Sequence, residues 1–264
     1  MASKDNNVSI LHMYRGIRDT YNEEKKRRDL LLVRYLYRPV SFFLTIPFLR
    51  LGMSANQGTL MNFLLLLVAM FLLVVGVDTL TLIGAVIYLL LFITDCIDGN
   101  IARYKQQRSY FGKVADGLVD TLVYYIFISI ALGNIASGSN KFSPVVELLL
   151  GCSVTLSMLT LSYFRARVIY ALGEIATLKS NRASESSRQD DSPPERKGVI
   201  YNIFFLYQNV GPFLPILFLA ALRFDQVSIF LFVTAVVYVC FSSAEIIYSL
   251  VSLQSRLSVK RDTK

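Results

Sequence analysis

Six stretches of this chain, at about 59–77, 79–102, 112–133, 144–172, 199–222 and 226–252, are apolar over most of their length. Each is near or above the roughly 20 residues that a helix needs to cross the hydrocarbon core of a bilayer. Lipid offers a backbone no hydrogen-bonding partner, so such runs fold as helices that satisfy their own peptide groups. The expected fold class is an all-α integral membrane protein with six transmembrane helices. Composition agrees, since 54% of the 264 residues are hydrophobic and only 17% are charged, against about a quarter charged in a soluble domain. A net charge of +8 would suggest nucleic acid as partner to a soluble protein. Here the basic residues flank apolar spans and report topology, so no nucleic-acid partner is expected.

Ahead of the first span, between Asp29 and Leu51, the apolar residues are interrupted by Arg34, Arg38, Pro39, Pro47 and Arg50. That pattern is too broken to span. It predicts an N-terminal amphipathic interfacial helix lying among membrane lipids, basic residues toward the headgroups. The first residues are polar and lack an apolar core, so no cleavable signal peptide is expected. Of the 27 Lys and Arg residues, 25 fall in 1–58, 103–113, 165–198 and the tail from 253, leaving Lys141 and Arg223 on the other side. The positive-inside rule makes the crowded side cytoplasmic, with both termini on it. The expected organisation is a cytoplasmic N-terminus with the interfacial helix at 1–58, a six-span domain at 59–252 and a basic tail at 253–264. The Ser-, Pro- and charge-rich segment 179–198 reads as a flexible cytoplasmic loop. Pro212 and Pro215 should kink the fifth span.

Cys96, Cys152 and Cys240 are odd in number and lack CxxC spacing, which argues against disulfides and zinc and for small packing residues. A single histidine, His12, excludes multi-histidine metal sites and histidine-based triads.

The segment Asp95–Asp120, DCIDGNIARYKQQRSYFGKVADGLVD, puts four aspartates at the ends of two apolar runs. Spacings of i, i+3 and i, i+4 lay Asp95 with Asp98, and Asp116 with Asp120, on single helix faces. A carboxylate at membrane depth is costly and marks function. Four together repel one another unless cations bind them, and an all-oxygen set suits Mg²⁺ or Mn²⁺. Two such ions could clamp a diphosphate. Gly99, Ala102 and Gly112 leave room for a ligand, and Arg103 is placed to neutralise a phosphate.

The pattern Asp95-x2-Asp98-Gly99-x2-Ala102-Arg103-x8-Gly112-x3-Asp116-x3-Asp120 resembles the signature of the CDP-alcohol phosphotransferases (CDP-alcohol phosphatidyltransferases) at every fixed position and gap. Eight specified residues coincide at a given start on the order of once in 10¹⁰ at ordinary residue usage. An interfacial helix plus six spans is also similar to that family's architecture. SANQGT at 54–59 resembles its Pro-Asn-x-x-Thr segment, with Ala55 in place of proline and Asn56 and Thr59 kept.

The resemblance implies divalent-metal-dependent transfer of a substituted phosphate from a CDP-alcohol, most simply CDP-diacylglycerol, to an acceptor hydroxyl with release of CMP. It implies two Mg²⁺ or Mn²⁺ ions on Asp95, Asp98 and Asp116, with Asp120 a further metal ligand or the general base. It also implies a CDP site of Asn56, Thr59, Gly99, Ala102, Arg103 and Gly112, and a homodimer. SYFRAR, with Arg165 and Arg167, resembles the acceptor-phosphate segment of phosphatidylinositol-phosphate synthases in the family, and Arg196 more loosely resembles a further contact. An alcohol phosphate is the acceptor this implies, although residues i and i+2 of a helix point about 200° apart. The alternatives are transfer from a CDP-linked small polar alcohol to a lipid alcohol and, more distantly, ion transport, since intramembrane carboxylates also line ion pathways.

Overall fold

The computed structural model describes residues 10–107, 110–183 and 210–258. Among these it contains helices and no strand. Two short helices, α1 (Ile10–Asp19) and α2 (Glu23–Arg28), precede a π-helical turn at Val33–Tyr37 that runs into α3 (Arg38–Arg50). The long helices follow as α4 (Ala55–Val74), α5 (Asp78–Tyr104), α6 (Tyr110–Leu122), α7 (Ile126–Ala136), α8 (Pro144–Ala183), α9 (Leu214–Arg223) and α10 (Val227–Ser258).

Among the described residues, five segments are long and apolar enough to cross a membrane: Ala55–Val74, Asp78–Tyr104, Gly112–Ala136, Pro144–Val168 and Val227–Val251. Four of them lie within a few residues of the expected second, third, fourth and sixth spans, and the first begins four residues early. That early start has a local cause. Ser54 caps α4, its hydroxyl accepting the Gln57 amide at 3.3 Å while Gln57 Oε1 accepts the Ser54 amide at 2.8 Å, a reciprocal cap that fixes the first turn. The expected fifth span, 199–222, lies partly outside the described residues. Its described part is the apolar helix Gly211–Arg223. Pro212 and Pro215 sit where a 3₁₀ turn, Gly211–Phe213, gives way to α9, and the Tyr37 hydroxyl donates to the Pro212 carbonyl at 2.7 Å.

Helices α4 and α5 pack along each other, α7 lies between α4 and α8, and α10 packs on α8. Their shared core includes Leu66, Leu73, Tyr88, Phe127, Leu161, Phe218 and Leu231. Close approach is set by Gly133, where an added Cβ would fall 1.8 Å from the Leu73 carbonyl oxygen. Leu64, Leu67, Phe71, Phe232 and Val236 remain exposed, as expected of faces solvated by lipid rather than water.

A second, smaller core lies at the end of α5 that carries the aspartates. There Met13, Ile17 and Tyr21 from the N-terminal segment meet Phe42, Ile46 and Leu49 of α3 and Ile97 and Ile101 of α5. Helix α3 buries Arg38, Ser41, Phe42, Thr45, Ile46 and Leu49 and exposes Phe43 and Leu44. Arg38 therefore departs from the expectation of basic residues facing headgroups, whereas Arg50 is exposed. Arg38 is 5% exposed because it has a buried partner: its Nε donates to Asp29 Oδ2 at 2.8 Å. Cys96 is buried as expected, but Cys240 is exposed.

Candidate active site

Asp95 and Asp98 sit on the last turns of α5, and Asp116 and Asp120 on α6. Each of Asp95, Asp98 and Asp116 offers a carboxylate oxygen within 4.8 Å of those of the other two. Three oxygens gathered from two helices, without sulfur or nitrogen, fit a hard divalent cation. Asp120 is not part of that trio, although its charge reaches Asp98.

One member of the trio, Asp98, has a neutral partner. Thr59 on α4 donates to Asp98 Oδ2 at 3.0 Å. Gly58 lets the two helices approach at that point, since an added Cβ would stand 2.7 Å from Asp98 Cβ. Two residues further along α5, the Asn100 side-chain amide donates to Ser41 at 3.0 Å and Thr45 at 3.1 Å. Its Oδ1 accepts from Arg103 at 2.8 Å and from Arg38 at 3.3 Å. Arg103 thereby folds back over Gly99, where a Cβ would meet its terminal nitrogens at 3.3 and 3.4 Å.

Two cavities meet at the carboxylates. The larger, about 740 Å³, is bounded by Asp98 and Asp116 and is lined by Asn56, Thr59, Gly99, Ala102, Arg103 and Gly112. All six residues that the sequence suggested for one ligand thus share one space. The smaller, about 400 Å³, is bounded by Asp95 and Asp120 and is otherwise largely apolar, with Tyr88, Phe92, Phe127 and Met158 among its walls. Arg165 also lines it. The Arg165 guanidinium donates twice to Glu245 of α10, at 2.7 Å and 2.6 Å. Arg167 points elsewhere: it is exposed and lies over the Tyr163 ring, donating to that hydroxyl at 2.9 Å. Arg196 lies outside the described residues.

The family model described as CDP-alcohol phosphatidyltransferase matches residues 53–184, half of the chain. The chain belongs to that family. Among curated proteins, none matches it significantly. As a CDP-alcohol phosphatidyltransferase it is an enzyme of phospholipid synthesis that transfers a substituted phosphate group from a CDP-alcohol to an acceptor. Its family uses a divalent metal, and its apolar helices are those of a multi-pass membrane protein.

Around the phosphatidyltransferase's carboxylates stand residues to which sequence reasoning assigned no place in the site. Gly58 and Asn100 sit inside or beside the motifs, and their small size and amide could have marked them. Arg38, Asp29 and Lys25 lie well upstream of the signature and form a linked charge group. Lys25 Nζ stands 3.0 Å from Asp29 Oδ1, and the Tyr21 hydroxyl donates to Asp29 Oδ2 at 3.1 Å. Burial alone would raise the Asp29 carboxyl, but Arg38 and Lys25 outweigh it and hold it below the usual carboxylate range.

Proposed function

We propose that the enzyme transfers the phosphatidyl group of CDP-diacylglycerol to an acceptor hydroxyl and releases CMP. One observation carries the reading. The six residues matched to the family's CDP site line a single cavity that ends at two of the clustered aspartates. Asp95, Asp98 and Asp116, with Asp120 adjoining, would hold two Mg²⁺ or Mn²⁺ ions. When bound, such ions neutralise the diphosphate and stabilise the charge that develops on departing CMP.

The chain's own groups do the rest. Arg103 offers its guanidinium to a donor phosphate, and Gly99, Ala102 and Gly112 leave the cytidine room against the helices. The acceptor approaches through the smaller cavity. Asp120 takes the proton of its hydroxyl as the new oxygen–phosphorus bond forms and the bond to CMP breaks. Crowding of cations on one side supports a cytoplasmic position for the aspartates and both termini. It supports equally the division into 1–58, 59–252 and 253–264.

For the acceptor we favour an alcohol phosphate held by Arg165, which shares its cavity with Asp95 and Asp120. A second reading rests on Glu245. Its two-point contact with Arg165 already balances the guanidinium, so an uncharged alcohol would enter without needing to displace a partner.

The test is turnover by purified protein given CDP-diacylglycerol, Mg²⁺ and a panel of phosphorylated and uncharged alcohols. CMP release should vanish with EDTA and fall about 10²–10⁴-fold in Asp120→Asn. Arg165→Gln should raise the acceptor KM and leave the donor KM alone. Turnover that survives exhaustive chelation sinks the metal assignment, and a preference for uncharged alcohols selects the second reading.

A further inference from the structure

Part of the wall of the larger cavity comes from outside the family match at 53–184. Thr20, Asn22 and Lys25, at the junction of α1 and α2, line it together with Asp98, Arg103 and Asp116. This junction is anchored on both sides. Ile17 is fully buried in the smaller core, and Gly16 lies so close to Tyr104 of α5 that a Cβ would stand 2.9 Å from its ring. On the other side Asp29 is gripped by Tyr21 and Arg38. Arg38 reaches on to the Cys96 carbonyl at 3.3 Å, one residue from Asp95. The Asn22 side chain accepts the Lys25 amide at 3.0 Å and fixes the turn from which Lys25 projects. The field of the Lys25 ammonium reaches Asp95 and Asp116.

We propose that Lys25 is a binding residue for the donor, its ammonium meeting the diphosphate of the CDP group in this cavity; the inference rests on the reading under Proposed function. An anion entering a space bounded by Asp98 and Asp116 requires protein cations as well as metal. Arg103 supplies one from within the membrane domain, and Lys25 supplies another from the N-terminal segment. Its side chain is 39% exposed and its Asp29 partner only 6%. Arg38 and Tyr21 also hold Asp29, so the Lys25 ammonium can exchange that carboxylate for a phosphate without leaving Asp29 unpaired. The N-terminal segment thus completes the nucleotide site.

Calorimetric titration of CDP with Mg²⁺ into the detergent-solubilised full chain tests this directly. Lys25→Gln should weaken CDP binding about tenfold, the effect of losing one charge-assisted hydrogen bond. Lys25→Arg should restore most of it, and both variants should keep the cooperative unfolding of the wild type, since Arg38 and Tyr21 still hold Asp29. CDP binding by Lys25→Gln equal to wild type overturns the inference and leaves the proposed function intact. So does a loss that Lys25→Arg fails to rescue, or one accompanied by loss of cooperative unfolding, because either means packing rather than phosphate contact. A wild-type protein that binds no CDP overturns the donor reading and this inference together.

Discussion

Asp29 accepts hydrogen bonds from Tyr21 and Arg38 and pairs with Lys25, so its ionised form is favoured by the fold. A carboxyl whose folded pKa is depressed contributes stability that is present above its unfolded pKa and lost as pH falls through the folded one. Thermal unfolding in detergent should show this as an acid limb. Asp29→Asn leaves Arg38 buried without its counter-charge and should cost about 3 kcal/mol at neutral pH. The difference from wild type should shrink toward zero as the medium is acidified through the carboxylate range. A variant whose deficit does not change with pH would mean that the carboxylate's charge is not what the fold uses. Among single residues, the aspartates were legible because helix geometry turns i, i+3 and i, i+4 spacing into shared faces. Lys25 was not, because its relation to the site exists only once α1 has packed onto α3 and α5. The same holds for Glu245, which became a partner of Arg165 only through the packing of α8 on α10.

The elements differ in how directly sequence specifies them. Long apolar runs dictate membrane helices with little ambiguity, which is why the limits of α5 and the Gly112–Ala136 segment lay close to expectation. Helix α3 was harder. Its buried stripe mixes Arg38, Ser41 and Thr45 with Phe42 and Ile46, and polar groups read as surface until Asn100 and Asp29 are seen to satisfy them. At the aspartate end of α5, its approach to α4 depends on an absent side chain. Gly58→Ala would place a methyl 2.7 Å from Asp98 Cβ and 3.3 Å from its Cα. Neither helix can yield without shifting Asp98 from Thr59, so the change should cost about 1–3 kcal/mol of stability and lower turnover at least about tenfold. Gly117→Ala, on α6 with no described residue within 4 Å, is the matched control and should leave turnover unchanged and stability equal or raised by up to about 1 kcal/mol. Full activity in Gly58→Ala would show that the approach of these helices does not position the carboxylate.

At the scale of the whole molecule, the carboxylates form a partition. Asp98 and Asp116 close off the polar space beside the N-terminal segment, and Asp95 and Asp120 close off the apolar one beneath α8 and α10. On the proposed function, two substrates would be seated at once on opposite sides of these carboxylates. No side chain needs to carry the phosphatidyl group in the interval between one leaving and the other arriving. Steady-state rates measured against donor at several fixed acceptor levels should then give double-reciprocal lines that intersect, where a covalently loaded enzyme would give parallel ones. Donor supplied alone should yield no burst of CMP, so the enzyme would hold its activated lipid unspent until the second alcohol is in place.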